Sequence, residues 1–466
     1  MKLITTIILL ISTLTAGSAG APHLEGGDLS ILWVVPFAGI LLSIAIFPLV
    51  ASDFWHHNFG KISAFWATLF ILPFMLSQGW QITLYEVLHV GLLEYIPFII
   101  LLLALFTISG GVQLTGSLVG TPIINTAIIL VGTLLASWMG TTGAAMLLIR
   151  PLLRANKERK YKVHIVVFFI FLVANIGGSL TPLGDPPLFL GFLKGVDFFW
   201  TTKAMFLPML FMVISLLIIF YIYDSIQFKK EEPLPQVSSK EKIGIKGSFN
   251  LLLIIGVVCS VLLSGFWKPN IDFTIYHVHL ELQNIIRDIL LLLLAYGSWK
   301  FTIKEIREAN EYTWFPIQEV AKLFAGIFIT IIPAIAILKA GTSGALAGII
   351  NSVSSNSGPV NHMYFWLTGI LSSFLDNAPT YLVFFNTAGG DPQVLMGELS
   401  QTLLAISAGA VFMGANTYIG NAPNFMVKSI SESSGIEMPS FFGYFFKWAI
   451  PILMPLFIIV SWLFFG

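Results

Sequence analysis

Residues 175–187 read Asn-Ile-Gly-Gly-Ser-Leu-Thr-Pro-Leu-Gly-Asp-Pro-Pro, in the middle of a long apolar stretch. Tandem prolines and three glycines prevent a regular helix here, because proline lacks the N–H donor and glycine has a loose backbone. Within a bilayer, unwound backbone is tolerated only where it is buried in protein or lines a polar cavity. The stretch therefore predicts a transmembrane helix that is broken at mid-depth, with Asp185 in the break.

The rest of the chain has the composition of a protein that crosses a membrane many times. Its 466 residues are 56% apolar and 10% charged, whereas soluble proteins are about a quarter charged. The 24 Lys+Arg balance the 24 Asp+Glu, which leaves no basic patch for nucleic acid, and the single Cys259 excludes a disulfide framework and a Cys-based zinc site. We therefore expect an all-α polytopic membrane protein with lipid around it.

Apolar stretches long enough to cross a bilayer, about 20 residues each, predict about ten full spans. Basic residues cluster at 150–162, 229–246 and 300–307, and the positive-inside rule places these three loops in the cytoplasm. Residues 1–21 have the parts of a cleavable signal peptide, with an uncleaved first helix as the alternative. The expected location is the inner (plasma) membrane, with multiple passes.

Two further apolar segments, at 121–153 and 359–389, are too long for one crossing and are polar in the middle. Their middles read Ser-Trp-Met-Gly-Thr-Thr-Gly at 137–143 and Asp-Asn-Ala-Pro-Thr at 376–380. Because the loops flanking each segment are expected on one side of the membrane, each segment must enter and return. We therefore predict two re-entrant helical hairpins.

A single offset of 236 residues aligns the hairpins and broken helices of the two halves. Residues 178–189 align without a gap on 414–425, with Gly, Thr, Gly, Pro and Phe identical. Since the first half is expected to cross an odd number of times, the two repeats are inverted. The predicted organisation is a first inverted repeat at 22–227 (hairpin 121–153, broken helix 163–198), a cytoplasmic linker at 228–248 and a second inverted repeat at 249–466 (hairpin 359–389, broken helix 399–430).

The side chains at the breaks and tips are rich in oxygen, the ligand atom that small hard cations such as sodium prefer. A carboxylate at membrane depth costs roughly 2.5–3.5 kcal/mol and normally marks an ion path. Asp376 is therefore the first candidate sodium ligand and Asp185 the second, although each has helix capping as an alternative role. The candidate ion- or substrate-binding residues are Asp376, Asn377, Thr380, Asn416, Thr417, Asn421, Asn175, Thr181, Asp185, Ser137, Thr141 and Thr142.

Two other carboxylates within apolar segments have plainer interpretations. Glu319 and Lys322 are three residues apart at the start of a helix, and we expect them to pair with each other. Glu94 lies near the outer end of its span, where we expect it at the membrane interface.

At its hairpin and broken-helix motifs, the chain resembles the ion transporter superfamily, particularly the NhaD-type sodium/proton antiporters and the citrate-transporter-like permeases. The matching positions are 137–142, 181–187, 376–380 and 416–423, although Gly140 and Thr141 replace the Asn- or Asp-bearing tip of the first hairpin. The resemblance implies a homodimer, in which a scaffold holds the dimer and a transport part moves as an elevator.

The expected function is secondary active transport rather than catalysis, since no His-Glu-x-x-His, Gly-x-Ser-x-Gly or Walker pattern occurs. The leading hypothesis is exchange of sodium for protons at shared carboxylates, with sodium as the transported or coupling ion and no other cofactor. The alternative is sodium-coupled symport of citrate or a dicarboxylate, held by hairpin amides and helix N-termini, although no intramembrane Lys or Arg adjoins the motifs. Paired hairpins indicate alternating access rather than a channel.

Overall fold

The computed structural model describes residues 22–116, 118–231, 242, 244–355 and 358–466. The expected signal peptide at 1–21 lies outside the described residues, and so does most of the expected linker.

Helices account for nearly all of the regular structure. The first half contains α1 Val35–Val50, α2 Ser52–Gln78, α3 Trp80–Val90, α4 Ile96–Ser109, α5 Pro122–Met139, α6 Thr141–Ala155, α7 Val163–Leu172, α8 Pro186–Leu193 and α9 Phe198–Phe228. The second half contains α10 Phe249–Phe266, α11 Leu282–Phe301, α12 Lys304–Ala309, α13 Phe315–Thr330, α14 Ile332–Lys339, α15 Ala347–Ser352, α16 Asn361–Phe374, α17 Asn377–Thr387, α18 Pro392–Met396, α19 Ser400–Met413, α20 Ala422–Ser433, α21 Phe441–Tyr444 and α22 Ile450–Phe465.

The strands of the described residues form three short antiparallel ribbons. They pair β1 Gln113–Thr115 with β2 Gly244–Lys246, β3 Asp272–Ile275 with β4 Val278–Glu281, and β5 Ser354–Ser355 with β6 Gly358–Pro359. Each ribbon joins residues between helices.

Eight helices of the described residues are long and apolar enough to cross a membrane, or nine spans if the bent pair α13 and α14 counts as one. This confirms an all-α polytopic membrane protein, while the expected number of about ten spans stays a prediction.

Both candidate hairpins and both candidate broken helices are interrupted by turns. The first hairpin turns at Gly140 between α5 and α6, where φ is +80°, a conformation that suits glycine. The second turns at residues 375–376 between α16 and α17. A 3-10 turn at Ile176–Leu180 lies between α7 and α8, and another at Gly414–Asn416 lies between α19 and α20. The opposite orientation of the two repeats in the membrane stays a prediction.

The helices pack in two groups. The frame group consists of α1–α4, α10, α11, α13 and α14, and the hairpin group consists of α5–α9, α16, α17, α19, α20 and α22. Contacts between the groups include α14 on α17, α4 on α6, and α8 on the π-helical turn Gly91–Tyr95 between α3 and α4. Every residue of α7 except Val163 is buried, because the other helices of the hairpin group surround it.

Candidate functional site

The two broken helices are fastened to their hairpins by the same hydrogen bond. Thr181 Oγ1 donates to the backbone carbonyl of Ser137, and Thr417 Oγ1 donates to the carbonyl of Ser373. Donors and acceptors are each 236 residues apart. The sequence repeat is therefore also a repeat of hydrogen bonding at the helix breaks.

The serines at the hairpin tips repeat a second contact. Ser137 Oγ donates to the carbonyl of Gly177 at 2.5 Å, and Ser373 Oγ donates to the carbonyl of Met413 at 3.1 Å. Asn416 Nδ2 donates to Ser373 Oγ at 2.9 Å. Buried unwound backbone needs hydrogen-bond partners, and the two serine hydroxyl groups supply donors to carbonyls that the helix breaks leave free.

Paired glycines let the backbone on each side of a break come close together. A Cβ atom at Gly184 would lie 2.1 Å from the carbonyl oxygen of Gly178, and one at Gly420 would lie 2.5 Å from that of Gly414. No side chain fits at either distance. The spacing of the glycines is thus a packing requirement shared by both repeats.

Asp185 is the centre of the polar site. It is 1% exposed and accepts hydrogen bonds from Thr141 Oγ1 at 3.2 Å, Asn377 Nδ2 at 2.6 Å and Asn421 Nδ2 at 2.9 Å. These donors come from both hairpins and from the other broken helix. Although Asp185 precedes α8, its side chain caps no N–H group of that helix, so the capping alternative is not observed.

Four helices begin around this carboxylate. Helices α6, α8, α17 and α20 have their first residues at Thr141, Pro186, Asn377 and Ala422, each at or next to a residue of the Asp185 cluster. Helix N-termini carry partial positive charge and stabilise nearby anions. The dipoles and the neutral donors together allow a carboxylate to be buried here.

Asp376 has a different environment. Its Oδ1 accepts the N–H of Ala378 at 3.0 Å and thereby caps α17, while Thr380 Oγ1 donates to the Asp376 backbone carbonyl at 2.9 Å. The capping role that the sequence left as an alternative is therefore present. The donors from three other elements converge on Asp185, whereas Asp376 accepts an N–H of its own helix.

An amide network extends the site away from the carboxylate. Asn175 Nδ2 donates to Asn424 Oδ1 at 2.7 Å, and Asn421 Nδ2 lies 3.4 Å from Asn175 Oδ1. Asn424 Nδ2 in turn donates to the carbonyl of Thr417 at 2.9 Å. The sequence does not single out Asn424, because it aligns with the apolar Leu188 of the first repeat.

Two amide oxygens in this region are buried without a hydrogen-bond partner among the described residues. They are Asn377 Oδ1 and Asn416 Oδ1. An unpaired buried acceptor is costly and rare in folded proteins. A ligand that accepts electron pairs would satisfy them.

A cavity of about 420 Å³ connects this site with the far end of the frame group. Its polar wall includes Thr141, Thr142, Asp185, Asp376 and Asn421. Its far end includes His56, Phe315, Glu319 and Ser429. No Lys or Arg of the described ranges lines it.

The far end of the cavity also corrects an expectation. Glu319 and Lys322 do not pair: Glu319 Oε1 accepts the Trp55 Nε1–H at 3.2 Å, and Lys322 Nζ lies 5.4 Å from the centre of the Phe59 ring. Glu319 thus stands in the cavity wall with a neutral donor as its partner.

The candidate residues therefore divide by role. Asp185, Thr141, Asn377 and Asn421 meet at one point, and Asn175 joins them through Asn421. Ser137, Thr181, Asn416 and Thr417 bind backbone and neighbouring side chains at the breaks. Within the described ranges, no three His, Cys, Asp or Glu residues form a metal-binding group. A cation bound at Asp185 would take its other ligands from amide, hydroxyl and carbonyl oxygens.

The sequence matches the model of a family described as "Putative citrate transport" over residues 26–465, which is nearly the whole chain. No curated protein matches it.

Proposed function

The chain belongs to the "Putative citrate transport" family, and we propose that it exchanges sodium ions for protons across the membrane. The family is one of citrate-transporter-like permeases of the ion transporter type, so the protein is a multi-pass secondary transporter. The choice of ion and the direction of coupling are our proposal. The observation that carries it is the buried carboxylate of Asp185 with neutral donors around it.

Competition at Asp185 supplies the coupling. A carboxylate surrounded by neutral donors and helix N-termini is left with one negative charge, which either a sodium ion or a proton neutralises. Both cannot occupy the same oxygens. Loading of sodium therefore requires release of the proton. Sodium crosses the membrane in one half of the cycle, and the proton crosses in the opposite direction in the other half.

The neighbouring oxygen atoms support sodium as the ion. Asn377 Oδ1 is buried and has no hydrogen-bond partner in the described part of the chain, although Asn377 Nδ2 donates to Asp185. Asn416 Oδ1 is likewise buried without a partner there. Thr141 Oγ1 adds a hydroxyl oxygen beside the carboxylate. A hard cation prefers such a set of oxygen ligands, whereas a proton needs the carboxylate alone.

The cavity supports alternating access. It runs from Asp185 to His56 and Phe315, and Phe315 follows the basic loop at 300–307 that we expect in the cytoplasm. In this proposal the structure corresponds to a cytoplasm-facing state, and the hairpin group moves against the frame group to present Asp185 outside. The homodimer, the elevator motion and the inner (plasma) membrane location belong to the same proposal.

Sodium-coupled symport of citrate or a dicarboxylate is the second candidate. The family description and the convergence of four helix N-termini favour it, because such termini bind anions. Against it, the cavity wall carries the carboxylates Asp185, Asp376 and Glu319 and, in the described part of the chain, no Lys or Arg. Like charges would repel a substrate that carries two or three negative charges.

Purified protein in liposomes distinguishes the two candidates. With a pH-sensitive dye inside, an imposed sodium gradient is expected to move protons, in proportion to the sodium concentration and without citrate. In parallel vesicles, labelled citrate is offered with and without sodium. Sodium-dependent citrate uptake without proton movement would establish the second candidate, and the absence of both activities would refute both.

A further inference from the structure

An ion pair with a buried carboxylate joins the two helix groups at the end of α8 remote from Asp185. Lys194 Nζ and Glu94 Oε1 are 2.5 Å apart, and the side chains are 18% and 5% exposed. Glu94 was expected at the membrane interface, but the structure buries it against Lys194. The pair spans the boundary between the groups, because Glu94 belongs to the frame side and Lys194 follows a helix of the hairpin group.

Glu94 lies in an irregular helical turn of the frame group, and Lys194 lies at the end of a helix that begins at the candidate site. Glu94 lies in the π-helical turn Gly91–Tyr95, and π turns within helices frequently occur at functional sites. Lys194 is the residue directly after α8. Since α8 begins directly after Asp185, one short rigid helix has the site's central carboxylate at its start and the ion pair at its end.

Other charges surround the pair. Glu86 on α3 and Lys339 at the end of α14 lie within electrostatic reach of both Glu94 and Lys194. Glu94 Oε2 is buried without a partner among the described residues. A buried carboxylate with a single partner depends on that partner, because removing one member of a buried pair leaves an uncompensated charge.

We propose that Glu94 and Lys194 form a latch that holds α8 against the frame group while the cavity is open at its Phe315 end. The inference rests on the proposed transport cycle, in which the hairpin group moves. When α8 moves with a loaded Asp185, the latch must break, and it re-forms on the return. The latch thus sets the balance between the two states without touching the transported ion.

The latch is tested by labelling a cysteine in the cavity. In a Cys259→Ser background, Ser429→Cys places a thiol at the far end of the cavity wall, where a membrane-impermeant maleimide reaches it from that side. We expect Glu94→Gln and Lys194→Gln each to slow labelling about three-fold, because a smaller fraction of the molecules then occupies the cavity-open state. The double variant should resemble each single variant, since both break one contact.

An exposed ion pair supplies the matched control. Lys304 and Glu308 pair at 3.0 Å with side chains 85% and 60% exposed, so Glu308→Gln should leave labelling unchanged. Unchanged labelling in both latch variants, or fully additive effects in the double variant, would overturn the proposal. If Glu94→Gln fails to fold, Lys194→Gln and the exchanged pair Glu94→Lys with Lys194→Glu decide instead, the latter by restored labelling.

The two proposals fail separately. Labelling requires no sodium gradient, so a latch effect in a protein that exchanges no sodium would leave the latch in place and remove the proposed ion. Normal sodium/proton exchange in a protein whose labelling the latch variants do not change would support the proposed ion and remove the latch.

Discussion

The two broken helices share their hydrogen-bonding pattern and differ in charge. At equivalent positions the first break has Asp185 and the second has Asn421, while the first hairpin tip has Gly140 and the second has Asp376. The contacts made through Thr181 and Thr417 are the same in both. The shared residues bind backbone at the breaks, and the residues that differ line the cavity.

The difference has a physical reason at the point where the repeats meet. Asp185 Oδ1 accepts from Asn421 Nδ2 at 2.9 Å, so the two equivalent residues contact each other. Two carboxylates at this distance would repel, and two amides would provide no charge. One carboxylate opposite one amide is the combination that suits a single monovalent cation.

The largest expected effect comes from removing this asymmetry. Asp185→Asn gives both breaks an amide, and we expect sodium/proton exchange to fall by about 100-fold or more, because the charge that both ions neutralise is lost. Exchange in proteoliposomes measures it, and elution as a single species in detergent shows that the variant is folded.

The reciprocal change sharpens that result. Adding Asn421→Asp to Asp185→Asn moves the carboxylate to the other broken helix, within the same cluster of donors, and should recover part of the exchange. Full exchange by Asp185→Asn alone would remove Asp185 from the mechanism.

The shared glycines should give the next largest effect, in both repeats. In Gly184→Ala the new Cβ would lie 2.1 Å from a carbonyl oxygen, and in Gly420→Ala it would lie 2.5 Å from one. Overpacking of this kind costs about 1–3 kcal/mol, with Gly184→Ala the more severe. Thermal unfolding in detergent measures the loss, and Gly297→Ala, where a Cβ meets nothing within 4 Å, is the control. Equal stability of all three variants would contradict the close backbone packing.

The sequence predicts the positions of the breaks because their causes are local. Proline at 186 and 187 removes two donors, and Gly140 adopts a positive φ in the turn of the first hairpin. Such features act through a residue's own backbone, wherever the rest of the chain lies. The helix interruptions therefore lie within the segments that the sequence singled out.

The hydrogen bonds to Asp185 come from residues that are distant in the sequence. Asn377 is 192 residues from Asp185, and Asn421 is 236 residues away. Only the packed fold brings their amides to the same carboxylate. The buried position of Glu94 has the same origin, because Lys194 reaches it through packing between the two helix groups.

The hairpin tips test whether the second carboxylate also binds the ion. Asp376→Asn keeps a capping oxygen but removes the charge, and the charge of Asp376 acts on Asp185. At alkaline pH, where protons do not compete, removing this charge should weaken sodium affinity about five-fold, which corresponds to about 1 kcal/mol, and leave stability unchanged. Asp376→Ala should also lower stability by about 1 kcal/mol through loss of the cap. If Asp376→Asn abolishes exchange as completely as Asp185→Asn, the second hairpin binds the ion directly.

The two hairpins also differ in charge at the ends of their first helices, far from the hairpin tips. Asn125 Nδ2 donates to Asp224 at 3.0 Å, and Arg159 pairs with that carboxylate at 2.7 Å. The equivalent Asn361, 236 residues on, accepts from the neutral Thr402 Oγ1 at 2.8 Å. The first hairpin is thus anchored by charges, and the second by a neutral hydrogen bond.

The smallest expected effect is a pH-dependent one at this charged anchor. Glu231 accepts the backbone N–H groups of Lys160 at 3.0 Å and Tyr161 at 2.9 Å, and Arg159 lies 3.5 Å away. Burial raises the pKa of Glu231, but these partners outweigh burial and leave the pKa below its ordinary value of 4.5. The stabilisation is therefore present above pH 4.5 and is lost as the pH falls through the lowered pKa. At pH 7, Glu231→Gln should cost about 1 kcal/mol in thermal unfolding, and the difference from the natural protein should shrink as the pH falls below the ordinary pKa of 4.5. The exposed Glu437→Gln should show no difference at either pH, and a Glu231→Gln deficit that persists at low pH would mean that packing, rather than charge, anchors the first hairpin.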